Sequence, residues 1–180
     1  MKRLGKVVLV SLIFPCLALA QQGGPSSNPV SDMLRQLLAR NSKNLTAAAE
    51  AMPADKYSYH PTPEQMTYAH LMMHIAQSNT VLCSKISGMA APADAQLKET
   101  DGKDKLVGAL KDSFAYCTTA LTNVDDSGLG ASVALSATRT STKAGTMITL
   151  AYDWADHYSA AAMYLRLNGI LPPTAQPAPK

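Results

Sequence analysis

The sequence predicts an all-α protein, an up-and-down four-helix bundle, on three observations. Four segments repeat apolar residues at intervals of three and four, the period of a helix that buries one face. No run of alternating apolar and polar residues is long enough to build a sheet. Capping residues, prolines and a glycine mark the ends of those segments. About 160 of the 180 residues remain once an N-terminal leader is set aside, enough for one domain with a real core, at 29–173.

The leader comes first. Lys2, Arg3 and Lys6 precede an apolar run from Val7 to Leu19 that closes on Ala18, Leu19 and Ala20, the pattern of a secretory signal peptide over residues 1–20. A membrane-spanning helix needs about 20 apolar residues; this run is shorter and is interrupted by Pro15. Pro15 also displaces the small residue that lipoprotein cleavage at Cys16 requires. The expectation is an exported protein, periplasmic or secreted, that starts at Gln21 and has no membrane span in the mature chain. Residues 21–28, rich in Gly, Ser and Pro, read as a flexible lead-in.

Helix one begins with Asn28 as N-cap and Pro29 at the first helical position, sets Val30, Met33, Leu34, Leu37, Leu38, Leu45, Ala48, Ala49 and Met52 on one face, and stops at Pro53. Helix two is expected from Thr62, an N-cap followed by Pro63 and Glu64, to Ser87 before Gly88. Its inward side reads Met66, Ala69, His70, Met73, His74, Gln77 and Val81. Helix three runs from about Lys103 to Asn123 with Leu106, Leu110, Phe114, Cys117 and Leu121 inward. Val124 to Thr140 has no helical stripe and reads as a long loop with a short extended piece at Ser132 to Ser136. Helix four spans Met147 to Asn168, where Asn168-Gly169 and Pro172-Pro173 form a C-cap and a stop. The Pro and Ala-rich tail at 174–180 is expected to be disordered.

Charge excludes one class of partner. The chain has 16 basic and 13 acidic residues; the leader carries three of the basic ones, so the mature chain is neutral. A nucleic-acid binder shows a basic surplus gathered on one face, and here there is none. Cys83 and Cys117 are the two cysteines left after the leader, in a compartment where disulfides persist. They either bridge or pack as small hydrophobes. If helices two and three pair antiparallel, the two cysteines sit at different heights and only a staggered docking joins them.

The chemistry concentrates in helix four. Its stripe of Met147, Leu150, Trp154, His157, Ala161 and Tyr164 contains a histidine, with Asp153 one turn before it on the same face. His74 lies on the inward side of helix two. Three ionisable groups from two core-facing helices predict a divalent-metal site. Against it stands a neutral core histidine bonded to a neighbour, and Asp153 reads equally as ligand or as the carboxylate that orients His157. His70, one turn before His74, makes an HxxxH pair and is an alternative third ligand. Tyr158 and Arg166 are outlying candidates for substrate contact. No Gly-rich phosphate loop, CxxC pair or nucleophile elbow is present.

Two blocks, MPADKYSYHPTPEQMTYAHLMMHIAQSNTVLCS and DWADHYSAAAMYLRLNGILPP, resemble the DinB-like family of four-helix-bundle metalloproteins, and the similarity runs from helix one through Pro173. In that family one histidine of helix two and a pair of histidines four residues apart on helix four hold a divalent ion of the zinc, nickel or manganese class. Relatives include thiol-dependent transferases and isomerases. The resemblance places the helix-two ligand on His74 and the second of the pair on His157. The first falls on Asp153, a departure, and Ser159 and Ala160 stand where a glycine is usual. The function this implies is a metal-dependent transferase or hydrolase on a small molecule. The alternative is a non-catalytic bundle with a degenerate site that binds a ligand or another protein, as monomer or homodimer.

Overall fold

The computed structural model describes residues 26–93 and 96–177. The expected signal peptide at 1–20, residues 21–25 of the lead-in and 178–180 of the tail lie outside the described residues. Four helices make up the bundle: α1 (Pro29–Ala51), α2 (Tyr68–Ser87), α3 (Lys103–Leu121) and α4 (Lys143–Leu167). A small antiparallel hairpin, β1 (Ser132–Ala134) with β2 (Thr140–Thr142), precedes α4, in the register Ser132 to Thr142, Val133 to Ser141 and Ala134 to Thr140. The extended piece anticipated at Ser132 thus has a partner strand. That partner is three residues long, too short to show an alternating pattern. Among the described residues no helix is long and apolar enough to cross a membrane.

The order of helix directions follows from which residues meet. Cys83 bonds to Cys117 with Cα atoms 5.3 Å apart, and Asn79, one turn earlier, donates to Ser113, one turn before Cys117. Both partners advance together, so α2 and α3 run parallel. Tyr164 at the end of α4 donates to the Met66 carbonyl just before α2, and Lys103 at the start of α3 donates to the Glu50 and Met52 carbonyls at the end of α1. The four helices therefore run up, down, down, up. Parallel pairing removes the expected height mismatch: at about 1.5 Å per residue, Cys83 and Cys117 lie about 22 and 21 Å from the starts of their own helices. The connector after Gly88 returns along the bundle, bringing Glu99 back to Thr67 and His70 at the opposite end of α2.

α4 starts at Lys143, four residues before the expected Met147, and the caps of α1 and α2 depart from the sequence reading. Thr62 does not cap α2. Thr67 does, its hydroxyl accepting from the His70 amide at 3.0 Å, because Tyr57 and Tyr68 are buried and their hydroxyls reach the Ala49 and Ala48 carbonyls of α1. The carbonyls of Tyr59 and Tyr57 then accept from the Tyr68 and Ala69 amides. Residues 62–66 are all exposed and have no core to pack against. At α1, the Asn28 side chain makes no cap bond to its own helix. Asp126, from the α3–α4 loop, accepts from the Val30 and Ser31 amides at 2.9 and 2.8 Å and from the Ser31 hydroxyl, and the Asn28 side chain accepts from the Asp126 amide instead. Remote capping of this kind satisfies orphan amides but leaves no local signature.

The helical faces also shift. Val30 and Met33 of α1 are exposed. On α2 the core stripe is Tyr68, Leu71, Met72, Ile75, Asn79, Cys83 and Ile86, while Met66, Gln77 and Val81 face outward. The expected stripe was thus turned by roughly one residue, about 100°, and His74 sits at the edge of the core. Asn79 belongs to the stripe because its amide is fully used: it accepts from Trp154 Nε1 at 2.6 Å and donates to Ser113 Oγ at 3.0 Å. At the C-terminus, Pro173–Ala175 form a short 3-10 turn, and Thr174 exchanges hydrogen bonds with the Tyr158 hydroxyl. The expected disordered tail is held at its start.

Two outcomes test these contacts. Reducing the Cys83–Cys117 bridge, which closes a separation of 34 residues, should cost about 3 to 4 kcal/mol on the chain-entropy account, read as a fall in denaturation midpoint with dithiothreitol. For Asp126, burial raises its carboxyl but hydrogen bonds from Ser31 and Val30 outweigh this and hold it below the usual carboxylate range. Its stabilisation is complete above the unfolded value near 3.9 and fades as pH falls below it. Asp126→Asn should lower Tm at neutral pH, and thermal melts in acid should show that difference shrinking.

Candidate metal centre

The ridge between α2 and α4 gathers the three residues the sequence singled out. His74, Asp153 and His157 present ligand-type atoms that all lie within 4.8 Å of one another, and the two imidazole rings are 4.8 Å apart, centroid to centroid. A tetrahedral ion with bonds near 2.1 Å needs edges of about 3.4 Å, so small side-chain rotations close the site.

Helical geometry and one buried bond aim these groups. Trp154 is fully buried and its indole is tied to Asn79, which fixes how α4 is rotated about its axis. Asp153 precedes that tryptophan and His157 follows it by three residues, so both lean toward α2. His157 Nδ1 lies 2.6 Å from the backbone carbonyl of Asp153. A carbonyl only accepts, so Nδ1 carries a proton, and in the neutral ring the lone pair is on Nε2. The Asp153 Oδ1 is 3.5 Å from the same nitrogen. Its Oδ2 is buried and has no hydrogen-bond partner, an expensive condition for a carboxylate that a cation relieves. His74 makes only a long contact, 3.4 Å from Nε2 to the Ser78 hydroxyl.

Electrostatics follow the burial. Burial pushes the Asp153 carboxyl above its usual range, with His157 and His74 opposing. Burial, then the charge of His157, pushes His74 below the ordinary histidine value. Two imidazoles beside a carboxylate are a donor set that zinc-class ions take. By this test the residues fit a divalent ion.

The remaining candidates lie elsewhere. His70 turns to the returning connector, its Nδ1 3.1 Å from Glu99 Oε2, and is outside the trio. Tyr158 is engaged with Thr174, and Arg166 is exposed near the end of α4. His60 is exposed, with Nδ1 against the Thr62 carbonyl. Asn79 is the residue that sequence reasoning missed. Its only signal was a polar residue one turn before Cys83, on a face then read as outward.

Known proteins share this fold. No curated protein matches the sequence. Among solved structures the chain is similar to a DinB-like protein from Bacillus subtilis (TM-score 0.64, 21% identity, 81% of this chain and 99% of that one). It is also similar to one from Bacillus cereus (TM-score 0.64, 14% identity, 79% and 95%). A third is the mycothiol-dependent maleylpyruvate isomerase (TM-score 0.58, 16% identity), where the match covers 72% of this chain but 59% of that protein's length. At these identities the likeness is one of fold. The model of the DinB superfamily matches residues 37–160, which take in most of α1, all of α2 and α3, and all three residues of the trio, and the chain belongs to that superfamily.

Proposed function

We propose that this is an exported divalent-metal protein in which His74, Asp153 and His157 hold the ion, and that it acts as a metal-dependent transferase or hydrolase on a small molecule. The observation that carries this reading is the buried, unpartnered Oδ2 of Asp153 beside two imidazoles. The ion, of the zinc, nickel or manganese class, supplies a Lewis acid that activates water or a thiol or polarises a carbonyl. The chain's own part is to keep the ligands ready. The Asp153 carbonyl holds the His157 proton on Nδ1, and burial keeps His74 neutral near pH 7. With three protein ligands, positions remain open for substrate.

Similarity to a mycothiol-dependent isomerase supports chemistry on a thiol or on a carbonyl-bearing acid. The leader at 1–20 argues for a place outside the cytoplasm, and the disulfide supports the same assignment because such bonds persist in oxidising compartments. A second reading, ligand binding without catalysis, draws on a groove of about 870 Å³ between α2 and α3, bordered by Ala76, Val81, Leu97, Ala109 and Tyr116, that does not include the trio.

The test is metal binding by the chain from Gln21, prepared without a histidine tag. Titration calorimetry and elemental analysis should show one Zn²⁺, Ni²⁺ or Mn²⁺ per chain. His74→Ala and His157→Ala should each abolish binding. Asp153→Asn should weaken it by more than the roughly 10 to 100-fold expected of a carboxylate that only orients a ligand. Because protons compete for the imidazoles and His74 titrates below the ordinary value near 6.5, affinity should be level around neutrality and fall at lower pH. A chain that takes up no ion at neutral pH sinks the proposal.

A further inference from the structure

α4 is apolar nearly all round. Its inner stripe fills the core, yet its outer face carries Ile148, Tyr152, Met163 and Leu167 at 66, 68, 52 and 56% exposure. Ala155 and Ser159 lie in the gap between the large residues. These six positions fall within about 120° of arc and extend about 28 Å along the axis. A helix apolar on both faces belongs inside an assembly; α1 and α3, by contrast, set several charged residues on their outer sides.

We infer that this face of α4 packs antiparallel against the same face of a second copy of the chain. A two-fold interface requires a surface that complements itself, and this one does about Ala161. Ser159 and Met163 stand two residues either side of it, Ala155 and Leu167 six, and Asp156 and Arg166 five. Across a two-fold at that height Met163 comes level with Ser159 and Leu167 with Ala155. Asp156 of one copy comes level with Arg166 of the other. Neither makes an ion pair within its own chain among the described residues, where the ion pairs involve other groups. Tyr152 is then level with Ile170 and the exposed Leu171. A helix lying on an anionic membrane carries a surplus of Lys and Arg on its polar side; here there is one charge of each sign, which fits a copy of the chain better than a lipid surface.

Sedimentation equilibrium of the chain from Gln21 should show a two-chain species. Met163→Glu should convert it to single chains with an unchanged circular dichroism spectrum, since the side chain is exposed. Asp156→Arg and Arg166→Asp should each weaken association about tenfold or more, because symmetry doubles every change. The double variant Asp156→Arg with Arg166→Asp should recover association. The inference is overturned by a wild-type chain that remains single at every concentration, including one that instead binds anionic vesicles. It is equally overturned by a dimer that survives Met163→Glu, or by a double variant no better than the single ones.

Discussion

The buried amide of Asn79 is the constraint on which the rest of this bundle turns. It accepts from Trp154 on α4 and donates to Ser113 on α3, so one side chain of α2 sets the rotation of two neighbours. Ser113 passes its own proton to the Leu110 carbonyl, leaving no polar atom of the group stranded. An unmade bond in such a place costs about 1 to 3 kcal/mol, and apolar packing alone tolerates several rotations of a helix. A directional bond selects one. Trp154 lies between Asp153 and His157 in sequence, so the rotation that satisfies the indole also turns both of these toward His74.

The disulfide acts on two of these helices, α2 and α3, from one turn away. Cys83 follows Asn79 on α2, and Cys117 follows Ser113 on α3. Bond and amide together hold α2 and α3 in parallel register. That direction is unusual for helices joined in sequence, since a short loop leads naturally to an antiparallel neighbour. Here the connector 88–102 is long enough to return the length of α2, and it is held at its far end by Glu99, whose carboxylate takes bonds from Thr67 and His70. The same contact removes His70 from the ligand set. A histidine four residues from a metal candidate is drawn off by a carboxylate from a distant part of the chain.

What was legible in the sequence was periodic or local. The four helices, the glycine that ends α2 and the proline that opens α1 all declare themselves over a few residues. The trio was legible because Asp153 and His157 share a face by spacing and because the family pattern supplied His74. The α2 face was not, since Met66, Met73 and Val81 gave an apolar stripe as good as the true one, and only the partners of Asn79 decide between them. The capping of α1 by Asp126 and the parallel run of α3 join residues far apart in the chain, and no local pattern encodes either.

The site's charge balance follows from this architecture. Two imidazoles and a carboxylate are brought close in a place where water reaches them poorly, so burial raises the proton affinity of the acid and lowers that of His74. Each group is thereby moved toward its neutral form, and neutrality is the cheapest state for a buried cluster without a counter-charge. A divalent cation inverts that preference at Asp153 alone. For the acid, it favours the ionised carboxylate that burial resists, and it takes the unprotonated ring that burial already favours at His74. Asp153, where the resemblance to the family puts a histidine, gives the cluster a negative charge of its own when ionised. Bound to a divalent ion it leaves one net positive charge where an all-histidine site leaves two, a weaker electrophile but a stronger hold on a hard cation. In the proposed site this position therefore weighs on which ion is held, while the Asn79 tie that turns Asp153 and His157 toward His74 is indifferent to it.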